Sequence, residues 1–178
     1  MNAQEVLQFW FKEISPQQWW RRDPAFDEFV RARFGEVHSA ASRVELWAWR
    51  DSAAGRLAEI IVLDQFSRNI YRDDARAFAS DALALALAQE AIRAGADLQI
   101  AGERRAFVYM PYMHSESAVV HAAATDLFRE RAPANLDYEL RHKAIIDRFG
   151  RYPHRNAALG RLSTPEELAF LAQPASSF

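Results

Sequence analysis

Three short stretches hold the residues of this chain best suited to chemistry: LDQFSRN (63–69), YMPYMHSES (109–117) and RFGRYPHRN (148–156). In the first, Leu57, Ile61, Asp64 and Arg68 fall on one helical stripe, so a carboxylate and a guanidinium continue an apolar face. Asp64 precedes Arg68 by four residues, the favourable order for an intrahelical ion pair. Its plain reading is a half-buried structural salt bridge. Burial would leave such a pair little net stability, with specificity or function as the remaining motives. In the second stretch Pro111 frees backbone groups just before His114, and Ser115 and Glu116 follow. A histidine at a helix break titrates near neutral pH and can reach a ligand, or it can simply satisfy a neighbouring carbonyl.

The third stretch is dense in positive charge. Gly150 permits a left-handed turn, Tyr152 is pushed extended by the proline after it, and Pro153 opens a short helix expected to reach Leu159. His154, Arg155 and Asn156 would then sit in a first helical turn, where unpaired N–H groups and the dipole favour an anion. Arginines there hold a carboxylate or phosphate through two parallel hydrogen bonds.

The expected site is an anion pocket where the three stretches meet. Asp64 and Glu116 orient the cations, Arg68, Arg148, Arg151 and Arg155 hold the anionic group, and Asn69 and Asn156 fix its orientation. His114 or His154 serves as general acid or base if a reaction occurs, a question the sequence leaves open. The partner is a small anionic molecule or an acidic peptide. Neither nucleic acid nor a membrane is expected, and no metal or other cofactor.

Two other classes compete. A non-catalytic protein or peptide interaction module would use Trp10, Phe11, Trp19 and Trp20, although core packing is the commoner use of such a cluster. A metal-dependent hydrolase would draw on Asp64, His114, His142 and His154, against the lack of an HExxH motif and the repulsion of a cation by arginine neighbours. His142 lies on an apolar stripe, where a lone histidine usually belongs to the core, and His121 falls two turns after His114. A buried polar network that only specifies the fold would explain the same residues.

The elements that must position these groups read as helices throughout. Asn2 with Glu5 is a capping pair, Asp23-Pro24 opens a second helix, and a third runs from Asp51 to about Ile70. A fourth spans about Ser80 to Ala94 before Gly95, and Glu103 to Met113 reads helical with a kink or stop at Pro111. Ser115 or Ser117 caps a helix through Arg131. Tyr138, His142, Ile145 and Phe149 mark one face of a sixth long helix ended by Gly150. Thr164-Pro165-Glu166-Glu167 caps a last one, followed by an unstructured tail. Neither an alternating strand pattern nor a hairpin turn is present. The class is therefore all-α, an irregular antiparallel helical array in one domain over residues 1–178, without a convincing repeat near thirty-four residues.

Composition agrees. Half of the 178 residues are hydrophobic and 26% charged, with five Trp, five Tyr and twelve Phe to build a core. The apolar stretches are too short to cross a bilayer, and the first residues lack the basic start of a signal peptide. Absence of cysteine excludes disulfides and thiol chemistry and fits a cytoplasmic setting. Between Arg141 and Arg161 six basic residues face one acid, a local +5 on a chain of net charge −2, so the remainder carries −7. That contrast favours a discrete anionic partner over a nucleic acid.

Together, Leu63 to Arg72, Pro111 with His114-Ser115-Glu116, and Arg148 to Asn156 with Leu159-Gly160-Arg161 resemble a family of uncharacterised bacterial proteins. That family is catalogued as a domain of unknown function within the tetratricopeptide-like helical superfamily. The resemblance covers nearly the whole chain, including Trp19-Trp20 and Phe26. It implies a tetratricopeptide-like fold and shared site positions, and no reaction. Ser67 departs from the family pattern, which has proline there.

Overall fold

A computed structural model describes residues 1–174 and Ser176, and every regular element among them is helical. The first helix, α1 (Ala3–Gln8), starts on a capping box between Asn2 and Glu5 and continues through a π turn, Phe9–Glu13. A short α2 (Pro16–Trp20) leads to α3 (Pro24–Ser42), whose first amides bond the Asp23 carboxylate, as Asp-Pro promised.

The rod at the centre of the molecule is α4 (Ala53–Ile61), a π turn over Val62–Phe66, and α5 (Ser67–Ile70). From Leu57 to Ser67 every residue of this rod is buried. It packs against α1, α3, α6 (Asp81–Arg93) and α7 (Ala106–Met113). Phe9, Trp10, Phe34 and Phe66 interlock beside it, with Phe34 and Phe66 4.7 Å apart and Trp10 edge-on to Phe66. Beyond it α8 (Ala118–Arg131) and α9 (Leu136–Phe149) form a helical hairpin against α7, and α10 (Pro165–Leu171) closes the chain on a Thr164–Glu167 capping box. Among the described residues no helix is long and apolar enough to cross a membrane. The expected tail reaches residues 175, 177 and 178, which lie outside the described residues.

The structure corrects three local expectations. Pro111 does not stop α7, which runs on to Met113, with His114 N–H bonding Met110 O at 3.0 Å. All of α7 except Tyr112 is buried, so packing all around the helix outweighs the one lost ladder bond. Neither Ser115 nor Ser117 caps α8 through its hydroxyl; Ser115 Oγ accepts the Ser117 N–H instead. And Pro153 opens only a single 3-10 turn, Pro153–Arg155, rather than a helix to Leu159. The Arg161 N–H closes back on Asn156 O at 2.8 Å after Gly160 turns left-handed (φ 64°), so the segment folds on itself before a helix can propagate.

Gly55, in the first turn of α4, is fixed by contact rather than by its backbone angles: a Cβ there would overlap the carbonyl of Trp49. Gly35, in the middle of α3, faces open space. Gly55→Ala should therefore lower unfolding stability by about 2 kcal/mol or more, whereas Gly35→Ala should raise it by about 0.5–1 kcal/mol. Urea denaturation of the two variants checks both signs.

Candidate functional site

Asp64 sits in the π turn of the central rod with only 1% of its surface exposed. Its Oδ1 meets His114 Nδ1 at 2.7 Å and the Arg68 guanidinium at 3.3 Å, and Oδ2 accepts from Gln65 Nε2 at 2.6 Å. Arg68, at its expected place one turn on, also donates to the Asp64 carbonyl at 2.6 Å and makes two 3.0 Å bonds to Asp81. Asp81 opens α6. From the other side Arg155 donates to Asp81 at 3.1 Å and to the His114 carbonyl at 2.9 Å, its guanidinium lying 4.6 Å from both the Phe78 and Tyr152 rings. Four sequence candidates, Asp64, Arg68, His114 and Arg155, thus meet from three separated stretches. Arg68, Asp81 and His114 keep 15–21% of their side-chain surface open, and Arg155 keeps 7%.

The electrostatics follow from this packing. Burial alone would raise the Asp64 carboxyl, but the electrostatic pull of His114 and then of Arg68, with the hydrogen bonds from His114 and Gln65, outweighs it and holds the group ionised, far below the carboxylate range. His114 is pushed down by burial and by Arg68, against the pull of Asp64. At neutral pH the ring is uncharged, with its proton on Nδ1 toward Asp64 and a lone pair on Nε2. That tautomer is the one that hydrogen-bonds a carboxylate acceptor. Two more imidazoles crowd the same region: burial lowers His142 to about 3 and His154 to about 4, helped at His154 by Arg155 and Arg68. Their rings lie 5.9 and 5.5 Å from Tyr152.

The remaining candidates go elsewhere. Glu116 takes a fork-like pair of bonds from Arg161 and the Tyr152 N–H. Asn156 bonds Arg161, Ser163 and Glu167, and Arg151 pairs with Glu167 through two bonds. Arg148 pairs with Glu166 at the surface. Asn69 points away from the cluster, donating to Asp27, which also binds Arg72. Those two line a concavity of about 330 Å³ with Arg31 and Asp73. A second concavity, of about 290 Å³, is bounded by Phe11, Ile14, Pro16 and Trp19. Trp10 and Trp19 stack on each other and Trp10 is fully buried, while Trp20 is 60% exposed and lies flat on Phe107. The aromatic cluster is thus mostly core.

The proposed helical N-terminus at Pro153 is also corrected: a single turn presents no helix dipole worth invoking. Nor do Asp64, His114, His142 and His154 assemble as ligands. Among the described residues no three of His, Cys, Asp or Glu are placed to hold a metal ion. Sequence reading missed Asp81, the acid shared by Arg68 and Arg155, because an acid in a first helical turn passes for a dipole partner. It also missed Phe78, and the role of Arg161 as the partner of Glu116.

Residues 6–175 match a family described as bacterial protein of unknown function (DUF924). The chain belongs to this family. A solved structure of a protein of unknown function from Agrobacterium tumefaciens is similar to it, at 40% identity over 96% of both chains and a TM-score of 0.90. None of the curated proteins compared matches the chain. The family thus establishes kinship and an all-helical fold, and the chemistry has to be read from the side chains.

The lowered histidines set a pH window. An unfolded His142 or His154 binds its proton near pH 6.5, while the folded one refuses it down to about 3 and about 4. Stability is therefore full above pH 6.5 and falls as the pH drops below it. Glu139, raised by burial against His121, works in the opposite direction. The net loss expected between pH 6 and 5 is about 1–3 kcal/mol. A urea midpoint that stays flat from pH 7 to 5 would contradict this.

Proposed function

We propose that the surface shared by Arg68, His114 and Arg155 binds a small molecule through a carboxylate or phosphate group. The observation that carries the reading is the state of Arg155. Its guanidinium is buried, and among the described residues its Nε has no hydrogen-bond partner and the one carboxylate it pairs with is Asp81, which it shares with Arg68. A buried guanidinium is costly unless charge and hydrogen bonds answer it, and among the described residues three of its five N–H groups find no acceptor. An oxyanion satisfies both deficits at once. The chemistry of the donors supports the same class, since planar guanidinium groups pair with carboxylate and phosphate oxygens.

The supporting frame is rigid. Arg68 projects from the buried central rod, His114 from the end of α7, and Arg155 is clamped between two aromatic rings. Such a frame holds donors in place before a ligand arrives, which lowers the entropy lost on binding.

Calorimetric titration with inorganic phosphate, sugar phosphates and dicarboxylates tests the proposal. At least one class should bind. Charge-assisted hydrogen bonds of about 1.5–3 kcal/mol imply that Arg155→Met weakens it roughly 10- to 100-fold. Arg148→Ala, which removes only a surface pair, should leave binding unchanged. A folded protein that binds none of the panel would sink the proposal and leave a network that serves the fold alone.

A further inference from the structure

We propose that the anion taken here is a phosphoryl-type dianion, and that His114 Nε2 takes up a proton as it binds. The inference rests on the anion-binding reading above and adds a ligand class and a proton.

Geometry supplies the argument. His114 spends Nδ1–H on Asp64, and among the described residues Nε2 has no hydrogen-bond partner. The imidazole can therefore accept a proton at Nε2 without breaking a bond it already makes. Once protonated, it becomes a third donor beside two guanidinium groups. Among the described residues Arg68 has Nε and one NH2 hydrogen uncommitted, and Arg155 has its Nε and one hydrogen on each terminal nitrogen. Three donors arriving from the rod, the end of α7 and the Pro153 turn suit a group with three free oxygens; a carboxylate offers two.

Charge balance points the same way. With His114 neutral, Arg68 and Arg155 are cancelled by Asp64 and Asp81, so the cluster carries no net charge to meet a dianion. One proton on His114 gives the cluster a net charge of +1, half of what the dianion carries. The new N–H bond forms at Nε2, the proton comes from water or buffer, and the Asp64 carboxylate already aligned on Nδ1 stabilises the imidazolium. The other groups facing the ring are His142 on α9, 6.4 Å away between ring centres, and, through space, Arg68, Asp81 and His154. Burial holds both of those histidines uncharged, at about 3 and about 4. Glu116, bound to Arg161, acts through space on Arg155 and His154. Among these groups His114 is the one whose ring already rests on a carboxylate at one nitrogen and, among the described residues, has no hydrogen-bond partner at the other.

The test uses the intact protein and inorganic phosphate at about pH 8, where phosphate is a dianion. Titration in two buffers of different ionisation heat should report uptake of about one proton per phosphate bound. Affinity should fall roughly tenfold per pH unit between about pH 8 and 9. In the wild type labelled with ¹⁵N-histidine, the His114 Nε2 resonance should move from an unprotonated to a protonated position on adding phosphate. His114→Gln should still bind, more weakly, with proton uptake lost. Phosphate binding without uptake, or uptake that persists in His114→Gln, overturns this inference and leaves the anion site standing. If phosphate and dicarboxylates alike fail to bind, both readings fall.

Discussion

An ionised carboxylate cannot stay bare inside a helical core, and Asp64 lies at the middle of the most buried element in this protein. Taking it out of water carries a penalty of several kcal/mol that only close, well-directed partners offset. Its partners are fixed by that need: Arg68 one turn on, Gln65 beside it, and His114 brought in from α7. The π turn at Val62–Phe66 widens the backbone at this point, as such turns often do near functional groups. Ser67 closes the turn by donating to Leu63 O at 2.6 Å and meeting the ring of His38 at 2.7 Å.

Other buried acids here stop at their immediate partners. Glu59 takes two 2.7 Å bonds from Arg50, and Asp97 takes bonds from Tyr109 and Arg131 at Oδ2, with Oδ1 unpartnered among the described residues. Glu139 meets His121 at 2.7 Å, and His121 in turn meets the Ser115 carbonyl. Asp64 differs because its partners lead outward. Arg68 reaches Asp81, Asp81 reaches Arg155, and Arg155 returns to the His114 backbone. The circuit ends at a partly open surface with donor capacity left over. Unused polar atoms are not peculiar to it, since Asp97 Oδ1 and Glu139 Oε2 are also buried without a partner among the described residues; what sets it apart is that its spare groups are N–H donors on guanidinium cations.

Much of the fold was legible in the sequence because helix ends are local chemistry. Asn2 with Glu5, Asp23 before Pro24, and Thr164 with Glu167 cap the helices they were expected to cap, and Gly150 ends α9 with a left-handed turn (φ 68°). Failures came where tertiary packing overrules local rules. Pro111 is carried through because α7 is buried around its circumference, and the turn after Pro153 is set by Arg161 and Gly160 rather than by helix propensity. The two π turns have no sequence signature that periodicity detects. At the candidate site, spacing exposed the Asp64–Arg68 pair, and composition drew attention to Arg155 and His114. Asp81 and Phe78 come from a segment that looked like an ordinary helix start, and only the folded chain reveals that they complete the cluster.

The strongest signal in the sequence was also the one most altered by folding. The run of cations from Arg141 to Arg161 suggests a basic patch, yet in space most of it is cancelled one charge at a time. Lys143 pairs with Asp147, Arg148 with Glu166, Arg151 with Glu167 and Arg161 with Glu116. Exposed pairs of this kind contribute little energy but erase the long-range field that would steer a polyanion. Two cations of the run remain among the described residues: Arg141, exposed over the Tyr138 ring, and Arg155, buried against Tyr152 and Phe78 and sharing Asp81 with Arg68. Recognition by such a site depends on contact and directed hydrogen bonds rather than on attraction at a distance. It therefore suits a compact ligand that enters the cluster, and not an extended chain drawn to a charged face.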